Sequence, residues 1–162
     1  MAELIIRATQ EDDRPFMREF IARRWFGEAV IIHGQFFYPA ELPGFIAQQD
    51  NLVSGLITYQ IRKPKCEIIT LDSLVKSVGI GSQLINNVKN TAIESNCNCL
   101  TVTTTNDNLE AIGFYQRRGF RLRAIFPGAV EKSRELKPTI PMTGNNSIQI
   151  RDEILLEMSL AE

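Results

Sequence analysis

Lys76-Ser77-Val78-Gly79-Ile80-Gly81-Ser82 is the segment whose residue types and spacing most directly suggest chemistry. Gly79 and Gly81 remove side chains where successive backbone N–H groups could wrap an anion. Lys76 adds a positive charge and Ser82 a hydroxyl. The apolar periodicity that begins at Ile80 sets the positive end of a helix behind them. The competing reading is conformational: a tight turn that needs positive φ. Two familiar phosphate loops do not fit. A Walker loop wants Gly-Lys-Ser/Thr at the helix start, and the dinucleotide fingerprint wants a third glycine where this chain has Leu84. Metal chemistry has little to work with: His33 is the single histidine, and Cys97-Asn98-Cys99 has no second ligand pair, so no metal is expected.

The glycine turn needs a strand before it and a helix after it, and the pattern supplies both. Ile80, Leu84, Ile85, Val88, Ala92 and Ile93 fall on one helical stripe ending near Asn96. Upstream, Gly44–Gln49, Leu52–Ile61 and Lys65–Leu71 read as an antiparallel meander, with Asp50-Asn51 and Lys63-Pro64 as turns. The last of the three, rich in β-branched residues, is expected to be central. At the N-terminus a short strand at Leu4–Ile6 precedes Glu11-Asp12-Asp13 and Pro15, a helix start with carboxylates at its positive end, and the helix runs to about Arg24. Residues 25–43 carry aromatic mass without a clean period and read as a loop with short pieces of structure. Downstream come a strand at Leu100–Thr105, a helix from about Asn108 to Arg118 closed by Gly119, and a strand at Phe120–Phe126. A loop-rich stretch over 127–149 includes a short helix at Val130–Leu136, and Ile154–Leu160 is a closing strand. The mixed order predicts an α/β (α+β) fold: one domain over 1–162 with a central, mixed, largely antiparallel sheet flanked by helices.

Composition narrows the function classes. The chain has 162 residues, 44% of them hydrophobic, and a net charge of −1, so no whole-molecule basic signature points to nucleic acid. Arg14, Arg18, Arg23 and Arg24 are close in sequence but interleaved with acidic residues. Apolar runs such as Ala29–Ile32 are far shorter than the ~18 residues that span a bilayer. Three cysteines offer no disulfide framework and no secretory leader is evident, so a cytoplasmic setting is expected.

A second segment, Asn108-Leu-Glu-Ala111-Ile-Gly-Phe114-Tyr115-Gln-Arg-Arg-Gly119-Phe120, sharpens the reading. Together with Lys76–Gly81 it resembles the GNAT superfamily, the general-control-related N-acetyltransferases. There the first motif is Gln/Arg-x-x-Gly-x-Gly/Ala between a central strand and a helix, and the second is similar to Asn-x-x-Ala-x-x-Phe-Tyr-x-x-x-Gly-Phe. Order and spacing of both agree, as does the element order over nearly the whole chain. Lys76 departs from the usual Arg or Gln, keeping charge but losing the planar fork, and Ser77 stands where Gly is frequent.

The resemblance implies acetyl-CoA (coenzyme A) as cosubstrate, with its pyrophosphate on the backbone of Val78, Gly79, Ile80, Gly81 and Ser82 and Lys76 nearby. The peptide-like pantetheine arm would pair with the main chain of Leu71, Ser73 and Leu74, where a bulge opens the sheet. Asn108 would hydrogen-bond the same arm, beside its plain reading as a helix cap. The implied reaction is attack by a neutral primary amine of a small molecule or peptide on the thioester. Tyr115 would be the acid that protonates the leaving thiolate, and Glu67, on the central strand, the base, with Asp72 in reserve. Each has a bland alternative: a core tyrosine, a strand-face glutamate in an ion pair, a turn aspartate. Acceptor contacts are sought among Trp25, His33, Tyr38, Arg134 and Arg151, and 127–149 is a candidate lid or dimer contact. A homodimer rests on family analogy alone. The rival classes are a noncatalytic acyl-CoA-binding module and, more distantly, a nucleic-acid binder.

Overall fold

In the computed structural model, which describes residues 3–75 and 78–161, the strand expected to be central is the fourth of seven. The sheet runs β1 (Ile5–Ala8), β4 (Gly44–Gln49), β5 (Leu52–Arg62), β6 (Lys65–Ser73), β7 (Cys99–Thr105), β9 (Glu153–Ser159), β8 (Arg121–Phe126). Every neighbouring pair is antiparallel except β6 and β7. That single parallel pair arises because helix α2 (Ile80–Glu94) connects the two strands as a crossover. The remaining strands, β2 (Val30–Ile32) and β3 (Gln35–Phe37), form a separate hairpin inside the stretch that carried no clear period. His33 and Gly34, its two loop residues, both have positive φ, 51° and 74°, as the twist of a two-residue hairpin requires.

Local chemistry explains the helices. Helix α1 (Arg14–Arg24) has Pro15 in its first turn. It is preceded by Asp13, whose carboxylate accepts from both terminal nitrogens of Arg7 at 2.8 Å and from the Gln10 N–H at 2.7 Å. Helix α2 buries Ile80, Leu84, Ile85, Val88 and Ala92 against the sheet, each full side chain contributing roughly 1.5–3 kcal/mol for the larger residues. Ile93, expected on the same stripe, is instead 47% exposed, because it stands about 100° round the helix from the fully buried Ala92. Helix α3 (Leu109–Arg117) is capped by the Asn108 side chain, which accepts from the Ala111 N–H at 3.2 Å, and closes at Gly119 with φ 99°. Helix α4 (Ala129–Leu136) covers the expected short helix.

The core lies in three parts. The largest joins α2, Tyr115 and Phe120 to the central strands; a second joins α1 to Ile46 and Leu56; a third joins the β2–β3 hairpin to Ile69. The first lies on one face of the sheet, and α1 and the hairpin cover the other.

Candidate active site

The parallel ladder between β6 and β7 is short. It runs from Lys65↔Cys99 to Ile68↔Val102 and stops, although both strands continue. The cause sits at that point on β6. Tyr59 pairs with Ile68 and Thr58 with Thr70, so Ile69 is an extra residue opposite none: a β-bulge. The bulge bends β6 away from β7 and turns Ile69 under the β2–β3 hairpin, while Cys66, Ile68 and Leu71 stay with the core beneath α2. Beyond it, Leu71 and Ser73 remain paired with β5, and the Leu74 N–H donates to the Ser54 carbonyl at 2.8 Å. On the side facing β7 this stretch has no ladder partner among the described residues, and a peptide-like chain could pair there.

A cavity of about 1050 Å³ opens at the gap, at the upper end of the range for small-molecule sites. Leu71, Ser73, Gly79, Ile80, Gly81, Asn108 and Tyr115 line it, so the glycine turn, the parted strand and the second motif are brought together. Lys76 and Ser77 lie outside the described residues. Leu74 and Val78 do not line the cavity and are exposed, 44% and 52%. The two glycines differ in purpose. Gly79 has φ 77° and, among the described residues, no neighbour within 4 Å of where a Cβ would stand, so it serves a left-handed turn rather than a close contact. A Cβ on Gly81 would stand 2.9 Å from Phe114 Cζ, so its small size admits the Phe114 ring.

Phe114 leads to a residue the sequence reading passed over. The Arg118 guanidinium lies 3.5 Å from the Phe114 ring centroid, donates from Nε to Ser82 Oγ at 2.6 Å, and lines the cavity. Burial and the neighbouring Arg117 hold its pKa below the usual arginine value. A planar cationic fork thus stands at the start of α2, held by a cation–π contact. The Arg117-Arg118 pair after the tyrosine was the only sequence signal for it.

Tyr115 is 6% exposed, with its ring edge-on to Phe114 and Phe120 at 5.3 Å each. Burial first, and then the charge of Asp72, push its pKa up, so the phenol keeps its proton across the neutral range. Asp72 has both oxygens engaged: Arg24 Nε donates to one at 2.8 Å and Trp25 Nε1 to the other at 2.9 Å. It ties the end of α1 to β6.

Glu67 does not line the large cavity. It borders an adjacent pocket of about 240 Å³ with His33, Gln60, Arg62 and Thr101. Burial raises its pKa, His33 and Arg62 pull it back, and Glu153 pushes it up. Among the acceptor candidates, Trp25 lines the large cavity and His33 the small one. Tyr38 is 55% exposed. Arg134 donates to the carbonyls of Ile140, Pro141 and Ile150, pinning the 127–149 segment as a cavity wall. Arg151 faces solvent beside Asp152. Cys66, Cys97 and Cys99 are buried, and burial pushes the Cys66 and Cys99 thiols up to about 12, which leaves them poor nucleophiles. Among the described residues no group of three or more His, Cys, Asp or Glu could hold a metal ion, and no helix is long and apolar enough to cross a membrane.

Parted parallel strands leading through a left-handed glycine turn into a helix, with a buried tyrosine beside the gap, define an acyl-transferase class of fold. The sequence model of the Acetyltransferase (GNAT) family matches residues 5–120, and the chain belongs to that family. It is 42% identical over 153 residues to the uncharacterized protein YdhI of Bacillus subtilis (strain 168), covering 94% of this chain and 96% of the relative. Its fold is shared with an IAA acetyltransferase from Bacillus cereus ATCC 14579 (TM-score 0.75, 21% identity, 97% and 99% of the two chains). It is shared too with a GNAT family acetyltransferase from Elizabethkingia anophelis with acetyl-CoA bound (TM-score 0.70, 19% identity, 96% and 97%).

Proposed function

We propose that this chain transfers an acetyl group from acetyl-CoA to a primary amine of a small molecule or a peptide, by direct attack of the amine on the thioester. The observation that carries the reading is the end of the β6–β7 ladder at Ile68↔Val102, beside a buried tyrosine and at the mouth of the large cavity. The free edge of β6 suits the amide groups of the pantetheine arm. The backbone at Gly79, the start of α2 and the Arg118 guanidinium suit the pyrophosphate, and the acetyl-CoA bound to the Elizabethkingia relative supports the same cosubstrate here.

In the reaction the amine nitrogen bonds to the carbonyl carbon, the carbon–sulfur bond breaks, and the Tyr115 hydroxyl supplies the proton that the departing sulfur takes. Alkyl amines with a pKa of about 10.4 arrive protonated, so the nitrogen loses one proton before it attacks and a second as the amide forms. Glu67, between the α2-facing Cys66 and Ile68, faces away from the core beneath α2, and its raised pKa suits a proton acceptor, but it borders the smaller pocket and receives a proton through intervening groups. Calorimetry with coenzyme A, and thiol release from acetyl-CoA over a panel of amines, test the reading. Binding with amine-dependent thiol release is expected. Binding without release on a broad panel makes the chain an acyl-CoA-binding module, and no binding at all ends the proposal.

A further inference from the structure

The hairpin turn between β2 and β3 places the chain's only histidine at a position with φ 51°. That left-handed conformation is strained for a non-glycine residue and favours Asn or Gly in such turns. Something must hold His33 there, and Glu153 does so twice. Its two oxygens accept from the His33 backbone N–H at 3.1 and 3.2 Å, and one lies 2.9 Å from Nδ1 of the ring. Glu153 is 3% exposed. With Nδ1–H donating to the carboxylate, Nε2 is left with its lone pair, and Thr103 Oγ1 stands 3.1 Å from it. Thr103 is the residue after Val102, where the β6–β7 ladder ends, and Thr103 and Glu153 both line the large cavity while His33 borders the small one. Residues from a hairpin and two strands, as many as 120 positions apart, thus form one hydrogen-bonded line from the gap into the protein.

We infer that Thr103, His33 and Glu153 form the relay that removes the proton from the acceptor amine. The inference rests on the acetyl-transfer reading above. As the neutral amine attacks the thioester carbon, its nitrogen gives up a proton to Thr103 Oγ1 while the threonine proton passes to His33 Nε2; solvent later returns a proton to the phenolate as the imidazolium releases its own. The sum is one amine proton moved to the imidazole and one phenol proton moved to the sulfur. Thr103 is the catalytic residue that meets the substrate. His33 holds the proton, and Glu153 positions the ring. Among the described residues the charged groups around the imidazole are Glu153 from β9 and Glu67, Arg62 and Lys65 around the small pocket; the uncharged ring of Phe126 from β8 lies edge-on at 4.6 Å. From this pocket the proton continues to Glu67 and solvent.

Because His33 is the only histidine, ¹⁵N-histidine NMR reads its tautomer and titration without assignment. A weakly basic amine acceptor, whose own ionisation falls below the window, lets the acid limb of kcat/KM report the enzyme. The neutral ring is expected to carry its proton on Nδ1, and the limb to coincide with the NMR titration, activity falling as His33 protonates. E153Q puts an amide in place of the carboxylate against Nδ1 and should lower kcat/KM by loosening the ring, with limb and titration still coinciding. H33Q should abolish the limb and lower kcat/KM roughly 10²–10⁴-fold. T103V, which keeps the β-branched shape on the strand, should lower kcat/KM similarly while His33 still titrates. Acetyl-CoA affinity by calorimetry should hold in all three. A limb that survives in H33Q, or fails to follow the titration, or full activity in T103V, overturns the relay and leaves acetyl transfer standing. An acetyl group found on Thr103 by mass spectrometry overturns it in favour of a covalent route. If the wild-type protein binds acetyl-CoA yet acetylates no amine, both readings fall.

Discussion

Tyr115 and Glu67 show how much a single residue's type can say and where it stops. The tyrosine was legible because Phe114-Tyr115 with Gly119-Phe120 resembles the family's second motif, and the structure sets it on the cavity wall. Y115F should lower kcat roughly 10²–10⁴-fold with little change in coenzyme A affinity by calorimetry; an unaltered kcat would remove the hydroxyl from the reaction. Glu67 was legible only as a carboxylate on a central strand. Which pocket it borders depends on the bulge two residues later and on the hairpin packed above it, neither of which has a sequence signature. Its pKa is raised by burial, so it becomes protonated, and loses the capacity to take a proton, at a higher pH than an ordinary carboxylate. E67Q should therefore lower the rate and alter the acid side of its pH profile; an unchanged profile would make Glu67 a structural residue.

At the scale of elements, the strongest local device is the start of α1. Asp13 joins Arg7 of β1 to the first turn of the helix, and its pKa is depressed below 3.8, first by the Arg7 hydrogen bonds. A depressed carboxylate stabilises the fold above its unfolded pKa, and that contribution disappears as pH falls through the folded value. D13N should cost roughly 1 kcal/mol at neutral pH, since Arg7 is partly exposed and solvent screens the pair. The gap between mutant and wild type in denaturant midpoint should shrink as the pH drops below 3.8 toward the folded value; a gap that stays constant would show that charge is not the source. The acidic run and Pro15 announced this helix end, but Arg7 as the partner did not follow from them. The helix α2 stripe was likewise legible, apart from Ile93, because five of its six residues obey the period that packing demands.

At the scale of the whole molecule, the cavity is closed by residues far apart in sequence. Lys137, at the end of α4, donates from Nζ to the carbonyls of Trp25 and Ala29, both at 2.6 Å, and ties the 127–149 wall to the loop between α1 and β2. Burial lowers its pKa, which marks how far the amine is drawn from solvent. K137M removes both donors while keeping most of the apolar stem. It should raise hydrogen exchange in residues 25–32 and 129–141 and increase KM for the amine, with coenzyme A affinity preserved. Unchanged exchange in both segments would show that the wall is held by other contacts.

What the sequence determined by itself is local. The glycine turn, the helix stripe, the Asn108 cap, the meander and the Phe-Tyr helix are each written within a few turns of chain, because periodicity and left-handed φ act at short range. The tertiary structure decided where β6 and β7 part, which glycine makes room for a ring and which makes a turn, and which pocket each carboxylate faces. It also brought Thr103, His33 and Glu153 into one line. Those outcomes depend on packing between segments tens of residues apart, and nothing in a local pattern encodes a contact whose other half lies on a different strand.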